Sequence, residues 1–189
     1  MATTADFRNG LCLDWNNDLY TIVEFQHVKP GKGPAFVRTK LRNIRTGRVI
    51  DNTFNSGVTV TTARIEKRDY QFLYKDESGY NFMETETYEQ FNLEEKMVPQ
   101  ADLMKDGQLV SILVHAETET ILNVELPQYV ELRVSYNEPG VKGETANSPS
   151  KPATVETGAT IKVPLFIEND ELIRVNTLTY EYDSRVKEK

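Results

Sequence analysis

The segment Val28-Lys29-Pro30-Gly31-Lys32-Gly33-Pro34-Ala35 is where residue type and spacing most invite chemistry. Two prolines bracket a Gly-Lys-Gly triplet. Proline restricts φ and has no N–H to give to a strand ladder, whereas glycine admits tight or left-handed turns. The product is a protruding loop with one long cationic side chain, Lys32, at its apex. Two readings fit: an ordinary hairpin turn with a solvated lysine, or a tip that carries Lys32 to a partner. Arg38, Lys40 and Arg42 follow at period 2 and share one strand face beside the tip. Contacts from that face to backbone phosphate would position the module while the tip reaches past them. A Schiff-base role for Lys32 would need a desolvated amine of lowered pKa, and a glycine-flanked tip is solvated.

Conventional catalytic equipment is missing. His27 and His115 are the only histidines and have no cysteine cluster beside them, so a zinc site is not expected. There is no GxxxxGK[ST] phosphate loop, no GxGxxG after a strand and no GxSxG elbow. The carboxylate pair Glu94-Glu95 lies in a polar stretch and reads as solvated charge. The expectation is a binding protein without catalytic residues, metal or cofactor.

The elements that must hold the tip read as strands. Leu11, Leu13 and Trp15 alternate, Asn16-Asn17-Asp18 turns the chain, and Tyr20, Ile22 and Glu24 return it. Phe36 to Leu41, a Thr46-Gly47 turn and Val49-Ile50 make a second hairpin. Tyr70, Phe72 and Tyr74, a turn at Asp76 to Gly79, then Tyr80 and Phe82 make a third. Only residues 86–97 carry a weak helical pattern. From Gly107, apolar residues follow at Val110, Ile112, Val114, Ile121 and Val124; from Gly158 they follow at Ile161, Val163, Leu165, Leu172 and Val175, a constant shift of 51. A one-residue slip inverts every strand face, so a register held across a turn points to two copies of one small β-barrel module. With the basic N-terminal unit, this predicts an all-β chain of three domains: 1–63, 64–126 and 127–189.

Charge divides along the same lines. The whole chain is −7, but residues 1–63 are +3, residues 64–126 are −8 and residues 127–189 are −2. Seven cations, from Lys29 to Arg48, occur with no acid between Phe25 and Ile50. An acidic protein with one basic end can present that end to phosphate, although a mixed-charge, solvated face has the same composition. The aromatics Tyr70, Phe72, Tyr74, Tyr80 and Phe82 fall in the most acidic third, which suits core better than a base-stacking platform. That weighs against a generic single-stranded-RNA-binding protein. No apolar run approaches the roughly 20 residues of a membrane span. The N-terminus lacks a secretory pattern and Cys12 is alone, so the cytosol is the expected compartment.

Lys29-Pro30-Gly31-Lys32-Gly33 with Ala35-Phe36 resembles the modification loop of the elongation factor P family. Pro139 to Ala146 resembles a loop of that family's third domain, Lys151 to Pro164 its C-terminal signature, and Tyr182 to Val186 its closing strand. Asp170 stands where the signature has glycine, and Glu144 where aspartate is usual. The resemblance covers the chain in order. It implies three barrels in an L shape, an SH3-like or KOW-like domain followed by two OB folds. It also implies binding to the ribosome between the peptidyl-tRNA and exit sites, with Lys32 toward the tRNA CCA end and contacts to ribosomal RNA. By the same resemblance Thr145, Tyr182 and Arg185 sit on surfaces facing tRNA, mRNA or the small subunit, and they join Lys29, Arg38, Lys40 and Arg42 of the basic end as the expected RNA-binding residues. A modifying enzyme acts on the Lys32 position in many relatives. A paralogue of the family shares the fold and the ribosome as partner but has a different duty; the Lys32 tip and the C-terminal signature favour the family proper. Tyr182 packed inside the third barrel is an equally good reading of that residue.

Overall fold

The structure, a computed structural model, describes residues 1–137 and 150–187. Among the described residues the regular elements are sixteen strands and three short 3₁₀ turns, so the all-β expectation holds. The chain forms two compact units, residues 1–67 with 113–123 and residues 68–112 with 124–189.

The first sheet contains β1 (Ala2–Thr3), β2 (Cys12–Trp15), β3 (Asp18–Val28), β4 (Phe36–Asn43), β5 (Val49–Asn55) and β6 (Thr59–Thr62), in the order β1-β6-β2-β3-β4-β5. Asn16 and Asn17, at φ 53° and 61°, make the two-residue left-handed turn that matches strand twist in a hairpin. On β4 burial alternates strictly: Val37, Thr39, Leu41 and Asn43 point inward, Arg38, Lys40 and Arg42 outward. Asn43 ends the strand. Its Oδ1 accepts the N–H groups of Arg45 (3.0 Å) and Thr46 (2.9 Å), and its Nδ2 donates to Asp18 Oδ2 at 2.6 Å. The core of this sheet is Phe7, Leu13, Ile22, Val37, Leu41, Phe54 and Val60. Each such side chain contributes about 1.5–3 kcal/mol when fully buried.

The second sheet holds β7 (Ile65–Asp76), β8 (Gly79–Glu84), β9 (Gln90–Leu93), β10 (Leu109–His115) and β11 (Thr120–Glu125), in the order β11-β10-β7-β8-β9. Tyr70, Phe72, Tyr80 and Phe82 are core, as expected, but a bulge between Phe72 and Tyr74 turns Tyr74 outward to 48% exposure. The Asp76–Gly79 turn is tied by Asp76 Oδ1, which accepts the N–H groups of Ser78 (2.8 Å) and Gly79 (3.1 Å). Gly79 has φ 139°, and a Cβ there would lie 2.2 Å from the carbonyl oxygen of Leu93. Only glycine fits. Residues 86–97 are not helical: Phe91 and Leu93 pair with Phe82 and Tyr80, and a 3₁₀ turn at Glu95–Met97 follows. Cross-strand pairing on an aromatic strand outweighs the weak helical propensity there.

β12 (Tyr129–Asn137), β13 (Ser150–Val155), β14 (Thr160–Pro164), β15 (Leu172–Asn176) and β16 (Glu181–Arg185) close a five-stranded barrel, β12-β13-β14-β16-β15, with β14 and β16 parallel. The repeat is visible in burial and in backbone. Val110, Ile112 and Val124 are buried like Ile161, Val163 and Val175. Gly107 and Gly158 have φ 81° and 91°, and Glu119 and Asp170, again 51 apart, have φ 52° and 65°. Leu165 departs from the expectation: it lies past the end of β14 and is 38% exposed. Ile121 and Leu172 are half-buried, and their neighbours Leu122 and Ile173 take the inward positions.

Leu103, on the 3₁₀ turn Ala101–Leu103, belongs to the core of this barrel. Beside it Tyr180 Oη donates to Asp102 Oδ1 at 2.7 Å, and Lys105 Nζ donates to the Glu131 carbonyl at 2.7 Å. Burial first, then the Asp102 carboxylate, pushes the Tyr180 phenol from 10.0 up to about 12. A phenol whose pKa is raised in the folded state stabilises it fully below about 10, and that contribution is lost as pH rises through about 12. Unfolding titrations between pH 9 and 12 should therefore show a steeper alkaline loss of stability for wild type than for Tyr180→Phe.

Candidate functional site

Residues 29–35 join β3 to β4, and the last pair of the ladder, Val28 with Phe36, lies directly beneath them. The base is tied again where Ser56 N–H donates to the Ala35 carbonyl at 3.0 Å. Pro30 is half-buried, whereas Lys29, Gly31, Lys32, Gly33 and Pro34 are exposed. Gly33 has φ 106°, a conformation that side chains rarely adopt, and the Pro30 ring lies 4.0 Å from where its Cβ would be. The turn is thus set by one glycine and one ring. Lys32 is exposed at the apex, with no hydrogen bond or ion pair to other described residues.

Beside the tip, Arg38, Lys40 and Arg42 stand in a row on the outer face of β4, about 6–7 Å apart along the strand. Their surroundings differ. Arg38 lies between Gln26 and Thr53 on the neighbouring strands and holds its guanidinium 5.5 Å from the Phe36 ring centroid. Arg42 lies between Thr21 and Val49. Lys40 lies between Glu24 and Asp51, and its Nζ meets Glu24 Oε2 at 2.7 Å. The hydrogen bond from Lys40 to Glu24 raises the Lys40 pKa above its ordinary 10.5. An open concavity of about 320 Å³ lies on this sheet, lined by Phe25, Arg38, Thr39, Lys40 and Asn52 among others.

The other residues singled out in the sequence lie apart from this group. Tyr182 and Arg185 share β16. Tyr182 is half-buried, packs against the barrel core and sits edge-on to Phe166 at 6.5 Å between ring centroids. Arg185 is exposed, but its Nη1 is bound to Glu171 Oε1 at 2.8 Å. The Glu168 backbone N–H and then Arg185 hold the Glu171 carboxyl below its ordinary 4.5. Glu144 and Thr145 lie outside the described residues, as do the rest of residues 138–149. Sequence reasoning missed two features: the acids flanking Lys40, and Lys151, a buried lysine whose Nζ donates to Asn137 Oδ1 at 2.8 Å. Asn137 in turn gives its N–H and its Nδ2 to Asn169 Oδ1, at 2.9 and 2.8 Å. No pattern in the sequence announces that network. Among the described residues no group of histidines, cysteines or acids could hold a metal.

Three family models match in chain order: the elongation factor P KOW-like domain over residues 3–60, its OB domain over 65–122 and its C-terminal domain over 130–185. The elongation factor P of Amoebophilus asiaticus is 62% identical over 187 residues, covering 99% of this chain and 98% of the relative. Elongation factor P 1 of Porphyromonas gingivalis is 59% identical over the full length of both chains. The chain belongs to the elongation factor P family. It is accordingly a translation elongation factor, built on a KOW-like domain and an OB domain with a C-terminal barrel. A solved translation initiation factor 5A family protein from Naegleria fowleri shares the fold at TM-score 0.52 and 16% identity, over 66% of this chain and 96% of that one.

The departure at Asp170 has a physical explanation. Its φ of 65° is the left-handed conformation for which the glycine of the family signature is suited, and aspartate is among the few other residues that visit it. Its N–H donates to the Val134 carbonyl at 2.9 Å and its own carbonyl accepts from Arg133 Nη1 at 2.6 Å, so the turn is held from both sides. Asp170→Gly should be tolerated without loss of stability, whereas Asp170→Val should be less stable than the glycine variant by about 1–2 kcal/mol in denaturant titrations.

Proposed function

We propose that this factor binds the ribosome between the peptidyl-tRNA and exit sites, directs Lys32 toward the CCA end of peptidyl-tRNA, and speeds peptide-bond formation on proline-rich sequences. The observation that carries the reading is Lys32: exposed, without a partner among the described residues, and presented by a loop braced by Pro30, Gly33 and the Val28–Phe36 pair. Arg38 and Arg42, beside it, suit contact with the phosphates of tRNA or ribosomal RNA. The protein works in the cytoplasm, where its partners are.

The physical task is positioning. Peptidyl-tRNA ending in proline rests in unreactive geometry, and a group that holds it in place removes freedom that would otherwise be lost on reaching the transition state; such placement contributes several kcal/mol. No side chain here has to move a proton. A modifying enzyme that extends Lys32 would add reach to the same tip and alter its charge.

The test is reconstituted translation of a polyproline template. Lys32→Ala should fold normally, since an exposed tip contributes little to stability. It should bind ribosomes only modestly more weakly, because the β4 cations remain, yet lower the rate of stall relief by about tenfold or more. Lys29→Ala, outside the proline bracket, should be milder. Stall relief by Lys32→Ala equal to wild type would reduce the tip to a turn.

A further inference from the structure

The outer face of β4 presents three cations at equal spacing, but the sheet treats the middle one differently. Arg38 and Arg42 have uncharged cross-strand neighbours on both sides, whereas Lys40 has an acid on each: Glu24 on β3 and Asp51 on β5. The arrangement depends on an irregularity in β3. Ile22 pairs with Leu41 and Glu24 with Lys40, so Val23 is extra, a bulge that interrupts the alternation. Without it Glu24 would follow Tyr20 and Ile22 onto the inward face; with it Glu24 stands outside, 2.7 Å from Lys40 Nζ. Bulges re-aim side chains in this way. The side chains of the pair are 50% and 64% exposed, so the contact is open to solvent and to competing anions.

We propose that Glu24 is a specificity-determining residue that occupies Lys40 as an internal substitute for phosphate. Resting on the proposal that the β4 face meets RNA backbone, it leaves Arg38 and Arg42 as the two open contacts, about 13 Å apart along the strand. A polyanion that merely collects positive charge then gains two contacts from this face, not three. The carboxylate repels any phosphate brought to the middle of the row. Non-specific RNA is thereby held weakly, and tight binding is reserved for a partner whose shape aligns phosphates with the two arginines while the tip is engaged.

The full-length protein is titrated with a fluorescently labelled deacylated tRNA over a salt series, with thermal melts run alongside to confirm folding. Each phosphate contact adds about 0.7–0.9 to the slope of log K against log salt. Glu24→Gln should steepen the slope by that amount and tighten binding at low salt by about three- to tenfold. Lys40→Gln alone should leave the slope unchanged, Arg38→Gln should lower it, and Glu24→Gln with Lys40→Gln should return it to wild type. A gain that survives in the double variant would make Glu24 a general charge effect and overturn the proposal. So would an unchanged slope in Glu24→Gln when Arg38→Gln loses a contact, and the phosphate reading of the face would then stand without it. If Arg38→Gln and Arg42→Gln also leave the slope unchanged, the face does not meet phosphate and both readings fall.

Discussion

The pairing register of β4 is the constraint on which the rest of the first sheet depends. Val37, Thr39, Leu41 and Asn43 face the core while Arg38, Lys40 and Arg42 face solvent. A slip of one residue would exchange the two sets, burying three charges and exposing the core. Desolvating even one unpaired cation costs a sizeable part of a domain's whole stability. Register is fixed locally as well: Thr39 Oγ1 donates to the Asn52 carbonyl at 2.9 Å, and Asn43 anchors both the adjoining turn and Asp18. Formation of the core and presentation of the basic row are thus one event.

Tip and row use different physics. The row depends on alternation, which any well-paired strand supplies. The tip depends on backbone conformations that only certain residues reach, with Gly33 left-handed and Pro30 partly buried beneath it. Lys32, the side chain that the proposed function sends furthest, sits where glycine and proline set the backbone.

Much of this was legible in the sequence because alternation and turn chemistry are local. The asparagine pair at 16–17, the Thr46-Gly47 turn and the Asp76–Gly79 turn stand where their residues put them. The repeat was legible because turns of the same left-handed conformation and strands of the same facing need residues of the same kind at the same offsets. Features that escaped were non-local or depended on one inserted residue. The bulge before Tyr74 and the bulge at Val23 leave no mark in composition, yet each reverses the facing of the residues beyond it. Pairing of β9 with β8 could not be seen from residues 86–97 alone. Nor could the burial of Lys151, which depends on Asn137 and Asn169 arriving from elsewhere in the chain.

One packing detail bears on modularity. Leu103 precedes the third barrel in sequence by more than twenty residues, yet it is fully buried in that barrel's core. The barrel's hydrogen-bonded wall is complete without it; its interior is not. An excision or chimera cut at residue 127 would respect the strand boundaries and still leave a leucine-sized hole, a defect that typically costs about 2–5 kcal/mol. The barrel as its strands define it is therefore not a complete unit: the plug for its interior is the 3₁₀ turn Ala101–Leu103, and between the two run β10 and β11, which belong to the second sheet.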